Sequence, residues 1–246
     1  MKPVLVAVLV TVLAGLAAIL FWLWWTFIGF TVHYRWHQEI RLVISTPDGP
    51  DGPVEAASVL AVDTRYHPYS SGLSPMEVNR DQRGEAVVAD LGDGRYLFAL
   101  LPSPALAEIA YVDLPPNRPD IYRAIRRQVG EAAIPLPRNL YPRLVTFTDI
   151  ADPASVALVD PDNLAASFGP GYALERITVA ITDAPVTEGV VEGVLGWWLN
   201  YRHGPYNEMM YLQLPDNSPR GWEELGASSF WSLDLRLKFD EAYNGK

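Results

Sequence analysis

The sequence predicts an α+β protein: an N-terminal transmembrane helix, then an antiparallel β meander, then a mixed α/β second half. Three observations predict it. Pro3 to Phe30 is an almost unbroken apolar run without a charged residue. Alternating stretches of β-forming residues follow, separated by Pro-Asp-Gly and Gly-Asp-Gly turns. Further on, short helical patterns are scattered among strands and do not alternate with them as a parallel α/β sheet requires.

The apolar run comes first. At about 1.5 Å per residue it crosses a hydrocarbon layer of roughly 30 Å with length to spare. A secretory signal is the competing reading, because Gly15-Leu16-Ala17 has the small-x-small pattern of a cleavage site. Cleavage there would leave Ala18, Ile19, Leu20 and the tryptophans as an exposed apolar tail. The run also exceeds the ~7 to 15 residues of a signal's apolar region, so an uncleaved anchor is expected. Trp22, Trp24, Trp25, Tyr34 and Trp36 read as interfacial aromatics on the exit side. Lys2 and the terminal amine stand against Arg35 and Arg41, a near tie in flanking charge. The expectation is the amino terminus inside and the soluble domain outside, in the periplasm, with the chain held in the cytoplasmic membrane.

About 210 residues remain after the anchor, enough for a domain with a real core. The net charge of -10 opposes nucleic-acid binding, which needs a basic surface. The absence of cysteine excludes disulfides, thiolate catalysis and thiolate metal sites. The charge is unevenly spread. Between Arg118 and Arg143 six arginines face only Asp120 and Glu131, a local +4 that leaves -14 on the rest of the chain. That stretch is either an ordinary solvated face or a docking face for an acidic partner, an anionic headgroup or an anionic ligand.

Elements follow in order. Tyr34 to Thr46 is β-rich, with Ile40, Leu42 and Ile44 alternating against Arg41, Val43 and Ser45, so one face is expected inside. Val54 to Tyr66 is a second strand. The clearest hairpin joins Glu85–Leu91 to Arg95–Leu101 through Gly92-Asp93-Gly94. These stretches read as a four-stranded meander. A short helix starts after Asn117, with Pro119 in its first turn and Gly130 at its stop. Ile121, Tyr122, Ile125 and Val129 share one face of it, and Arg123 and Arg127 point the other way. Arg143–Thr148 is a strand, Asp160 to Phe168 a short helix halted by Gly169-Pro170-Gly171, and Tyr172–Thr182 a longer strand. Val186–Leu199 fits a helix with Val190, Val191, Val194 and Trp198 on one side and Glu188 and Glu192 on the other. Phe230–Phe239 alternates as a last strand. The expected organisation is an anchor at 1–33, a β-meander lobe at 34–104, a proline-rich segment with the basic helix at 105–142, and an α+β lobe at 143–246.

Few constellations point to chemistry. His33 and His37 share a side, yet no third ligand is adjacent; His67 and His203 are isolated. Asp160, Asp162 and Asn163 lack the glycine and distal glutamate of a calcium loop and read as helix-start residues. Glu188 and Glu192 fit an acid/base pair or, more simply, a solvated helix face. Ser70-Ser71 and Ser228-Ser229 lie in loops without a nucleophile elbow, and no phosphate-cradling glycine loop occurs. No catalytic residue, metal or cofactor is expected. Gly189 and Gly193, followed by Trp197 and Trp198, form either a close-packing face or a helix at the bilayer surface.

Two stretches, Arg83-Gly-Glu-Ala-Val-Val-Ala-Asp-Leu-Gly-Asp-Gly-Arg-Tyr-Leu-Phe-Ala-Leu-Leu101 and the run from Leu144 through Asp152-Pro-Ala-Ser-Val and Phe168-Gly-Pro-Gly to Pro185-Val, resemble a family of uncharacterised single-pass membrane proteins of alphaproteobacteria. The resemblance covers about half the chain and implies a membrane-anchored soluble domain without catalytic residues to carry over. The tail beyond Trp198 departs from it. The expected function is a membrane-tethered, non-enzymatic ectodomain that binds a membrane-protein partner, one form being an accessory subunit of a larger complex. Its contacts would use Arg118, Arg123, Arg126, Arg127, Trp197 or Trp198. The alternative is an envelope enzyme acting on an anionic or glycan substrate, with Glu188, Glu192 or His203 as acid/base groups.

Overall fold

A computed structural model describes residues 2–27, 31–47, 52–66, 78–111, 113–115, 118–197, 212–213, 224–225 and 229–230. The chain divides into two compact units, Met1–Tyr34 with Asp63–Arg80, and Arg35–Val62 with Asp81–Lys246. The class is α+β, with an N-terminal apolar helix followed by antiparallel sheets and short helices.

In the first unit, α1 (Lys2–Phe27) is uninterrupted. Its stretch Val6–Trp24 is long and apolar enough to span a membrane and is not buried by the protein. Its 19 residues rise about 28 Å, close to the thickness of a hydrocarbon layer. By length and composition alone, an apolar helix this near the N-terminus is either a single membrane span or a signal sequence. The His33 imidazole lies 3.0 Å from the Asp63 carboxylate in this unit.

Most of the described strands form two sheets, one of five strands and one of four. The larger has the order β3 (Val78–Arg83), β2 (Val54–Tyr66), β1 (Val32–Ser45), β9 (Ala173–Thr182), β6 (Ile134–Pro135). The smaller runs β4 (Val87–Asp90), β5 (Tyr96–Ala99), β7 (Leu144–Phe147), β8 (Val156–Leu158), antiparallel throughout. The stretches read as one meander therefore divide between two sheets: β1 and β2 in one, the β4–β5 hairpin in the other. Each sheet also takes strands from both 34–104 and 143–246. Alternation predicts which face of a strand is buried but not which neighbour it pairs with, which is why β1 finds β9 some 130 residues away.

The pairing of β1 with β9 contains a bulge. Val43 faces Arg176 and Ile44 faces Leu174, leaving Glu175 as the extra residue. The extra residue changes the parity of β9, so Leu174 before it and Ile177, Val179 and Ile181 after it are all buried. The Ser45 hydroxyl donates to the Glu175 carboxylate at 2.6 Å.

One core joins the two sheets: Ile40, Leu42, Ile44, Leu60, Ile177 and Val179 from the larger with Val87, Ala89, Leu97, Ala99 and Leu144 from the smaller. The hairpin turn places Gly92, Asp93 and Gly94 all at positive φ, and the Asp90 carboxylate accepts from the Gly92 N–H at 2.9 Å. A second core lies on the opposite face of the smaller sheet. There Phe98 meets Phe147 and Phe230 edge-on at 5.6 and 5.8 Å, closed over by Val191 and Leu195. Strand β7 is accordingly buried on both faces.

The segment between Pro102 and Pro142 holds α2 (Leu106–Ala110), α3 (Arg118–Arg126) and β6. Tyr122 and Ile125 of α3 are fully buried, Tyr122 stacking on Trp36 at 6.2 Å, whereas Val129 is exposed. Further on, α4 spans Ala165–Phe168, and Gly169 at φ +101° ends it as expected. The Asp160 carboxylate accepts from the Asp162 N–H at 2.8 Å, a turn ahead of the helix and not a cap on it. The helix expected over 186–199 shrinks to α5, Val190–Val194. Its start is displaced because Thr187 bonds to Val59 in both directions, N–H to carbonyl at 3.0 Å and hydroxyl accepting the Val59 N–H at 2.9 Å. Short strands β10 (Leu212–Gln213) and β11 (Glu224–Leu225) pair with each other. The strand expected over 230–239 lies outside the described residues except for Phe230.

Gly84 is a place where the fold admits no side chain. Its φ is +137°, and a Cβ would sit 2.6 Å from Cδ2 of the buried Leu60, 3.1 Å from the Val59 carbonyl oxygen and 3.3 Å from the Leu60 Cα. Gly84→Ala is expected to destabilise the protein by roughly 1–3 kcal/mol, read as a lowered urea midpoint in detergent. An unchanged midpoint would show that the close approach is not a constraint.

Candidate functional site

The prominent polar feature of the second unit is Glu85, whose surface is wholly buried. It follows Gly84 and lies two residues ahead of β4, and its carboxylate accepts the backbone N–H groups of Gly189, Val190 and Val191 at 3.2, 2.9 and 3.3 Å. These are the N–H groups at the start of α5, which would otherwise lack partners. The Ser58 hydroxyl donates to the Glu85 carbonyl at 2.7 Å, and Arg83 pairs with Glu188 alongside. Burial pushes the Glu85 carboxyl above its ordinary range, and the nearby Glu192 carboxylate adds to this; the three N–H groups pull the other way. Sequence reading did not single out Glu85. The available signal was a carboxylate at the head of the apolar run Ala86–Ala89, where a charge needs a partner.

The second feature is a groove of about 510 Å³. It is lined by Ile109 and Ala110 from α2, by Leu114, by Ile134 and Pro135 of the outer strand of the larger sheet and Pro137 just after it, and by Tyr111, Asp113 and Gln128. Ile109 is 53% exposed. Burial raises the Tyr111 phenol, whose oxygen is bonded to the Ile181 backbone.

The residues expected at a partner site fall into three groups. On α3, Arg123 is exposed and bonded to Asp120 at 2.9 Å. Arg126 and Arg127 are exposed immediately before Gln128 of the groove. Arg118 opens the helix. Trp197 belongs to the interior instead: its ring meets Phe147 at 5.8 Å and its N–H donates to the Ile150 carbonyl at 2.7 Å. Trp198 lies outside the described residues.

Of the expected interfacial aromatics, Trp22 and Trp24 are exposed on α1, and Trp25 is in the same helix. Tyr34 and Trp36 are buried in the protein, at 8% and 4% exposure, because they fall on the inward-facing positions of β1. Trp36 donates its N–H to the Gln38 amide oxygen at 3.4 Å.

Glu188 is engaged by Arg83, and Glu192 sits near the buried Glu85. His37 is bonded through Nδ1 to the Ala184 carbonyl at 2.7 Å, and His33 to Asp63, so the two histidines are committed separately. Asp162 pairs with Arg138, whose guanidinium lies over the Tyr141 ring. His67, His203, Ser70, Ser71 and Ser228 lie outside the described residues. Among the described residues no three His, Asp or Glu side chains converge as a metal site. Comparison with protein-family models, with curated proteins and with solved structures finds no match.

Glu85 is testable through pH. Its folded-state carboxyl holds a proton to higher pH than the unfolded chain does. Stability from this group therefore falls as pH rises from about 4.3 through the folded value. Glu85→Gln keeps an acceptor and removes the charge, so it is expected to flatten that slope in urea titrations. Glu85→Ala, which orphans three N–H groups, is expected to cost roughly 2–4 kcal/mol at every pH. An unchanged slope in Glu85→Gln would sink the assignment.

Proposed function

We propose that this chain is a membrane-tethered, non-enzymatic domain that binds a protein partner, as an accessory subunit of a membrane complex does. In this reading α1 stays in the cytoplasmic membrane as a single-pass anchor, and the soluble domain faces the periplasm. The observation that carries the reading is the groove beside the end of α3, an open apolar depression next to the exposed Arg126 and Arg127. Exposed apolar surface bordered by charge is the usual composition of an interaction site. The anchor raises the local concentration of the domain for any partner in the same membrane, so a modest interface suffices.

Two measurements test this. Washing membranes with salt and alkaline carbonate is expected to leave the intact chain in the pellet; a released mature chain lacking residues 1–17 would remove the anchor. Gentle detergent extraction is expected to recover a second protein in fixed ratio. A lone monomer across mild detergents would overturn partner binding.

A further inference from the structure

We infer that the groove takes an acidic amphipathic helix of the partner, docked through side chains and not by strand addition. This deepens the partner-binding reading and rests on it.

The groove borders the outer strand of the larger sheet, and an outer strand ordinarily invites a peptide to pair with it. Here that route is closed. The Leu136 N–H donates to the Ile177 carbonyl at 2.9 Å, continuing the register that sets Ile134 against Val179 and Pro135 against Thr178. Even-numbered residues thus direct their backbone N–H groups at β9, and odd-numbered residues direct theirs at the open side. The odd positions that line the groove are Pro135 and Pro137, which have no N–H. The Pro137 carbonyl is also occupied, accepting from the Leu140 N–H at 2.9 Å. An added strand would find no donor at either position.

A helix needs no such donors, since its backbone bonds are internal. It requires an apolar trough for its buried stripe, which Ile109, Leu114 and Ile134 supply, and a complementary charge along the rim. Charge complementarity sets its sign. Arg126 and Arg127 are exposed and have no carboxylate partner among the described residues, in a segment that is +4 within a chain of net -10. A partner helix rich in Asp and Glu satisfies them, whereas the rest of the chain repels it and so confines docking to this segment. An anionic lipid is the less fitting occupant: Asp113, among the groove's own lining residues, repels a phosphate, whereas a helix can set the free N–H groups of its first turn against Asp113 and its carboxylates against Arg126 and Arg127.

The test uses the full chain in nanodiscs of neutral lipid, panned against a random 16-residue peptide library on phage. The expected winners carry Asp or Glu with large apolar residues spaced three and four apart. Their synthetic forms are expected to bind at least tenfold more weakly, by fluorescence anisotropy, to Arg126→Glu/Arg127→Glu and to Ile109→Asp. Circular dichroism and the urea midpoint establish that these surface variants remain folded, and Arg126→Gln/Arg127→Gln provides a milder second version. Basic or patternless winners, no enrichment over empty nanodiscs, or equal binding by the variants would each overturn the inference. So would competition of the peptide by phosphatidylglycerol vesicles at lipid levels where phosphatidylcholine vesicles have no effect. If detergent extraction recovers a partner while the library yields no acidic helix, the inference fails and the partner-binding reading stands. If both come up empty, both fall.

Discussion

The closure of the second core depends on a carboxylate. Val191 and Leu195 seal the aromatic cluster of Phe98, Phe147 and Phe230, but α5 is five residues long and has no independent stability. What holds it is Glu85, reaching from the adjoining strand to the three N–H groups at its start. A buried carboxylate is costly alone and acceptable when its oxygens are filled with donors. The same contact therefore solves two problems, an unsatisfied helix start and an unsatisfied charge, and it does so only when the two segments are together. Thr187 on Val59 fixes the approach of the chain just ahead of that contact.

Placement of α3 follows from a different constraint. Its inward face offers Tyr122 and Ile125, and the ring of Trp36 is the surface that Tyr122 meets. Once those residues are inside, helical geometry turns Arg123, Arg126 and Arg127 outward. The basic face is in this sense a by-product of burying two residues, yet the guanidinium groups of Arg126 and Arg127, without a carboxylate partner among the described residues, are not required by packing. A surface needed only for solubility would be served as well by lysines and carboxylates in mixture.

Much of this was legible in the sequence, and the gaps have physical causes. Alternation in Ile40, Leu42 and Ile44 identified β1, and β2 was found at Val54–Tyr66, because strand burial has a local period. Gly92-Asp93-Gly94 announced the hairpin through its need for positive φ. The allocation of strands to two sheets was not legible, since register with β9 is a long-range choice and the bulge at Glu175 is invisible to a period-two template. Trp36 misled for a similar reason: a tryptophan just after an apolar run reads as an interfacial anchor, and only the facing of β1 turns it inward. The groove escaped detection because α2 is five residues set between prolines, too short for a helical period, and because its walls come together only when Ile134–Pro137 pairs against β9. The arginines, by contrast, stood out from composition alone.

Proline content bears on the proposed docking segment in one further way. Eight of the chain's 21 prolines lie between Pro102 and Pro142, and each narrows the conformations open to the unbound segment. Association loses affinity to every side chain and loop that must be ordered on contact, so a wall already fixed by Pro135 and Pro137 loses less. The prolines that deny the edge strand its donors are thus also those that stiffen the groove. In the proposed docking, resistance to strand pairing and stiffness of the docking wall come from the same two residues, and a surface with both properties is better suited to one shaped partner than to edge-to-edge aggregation.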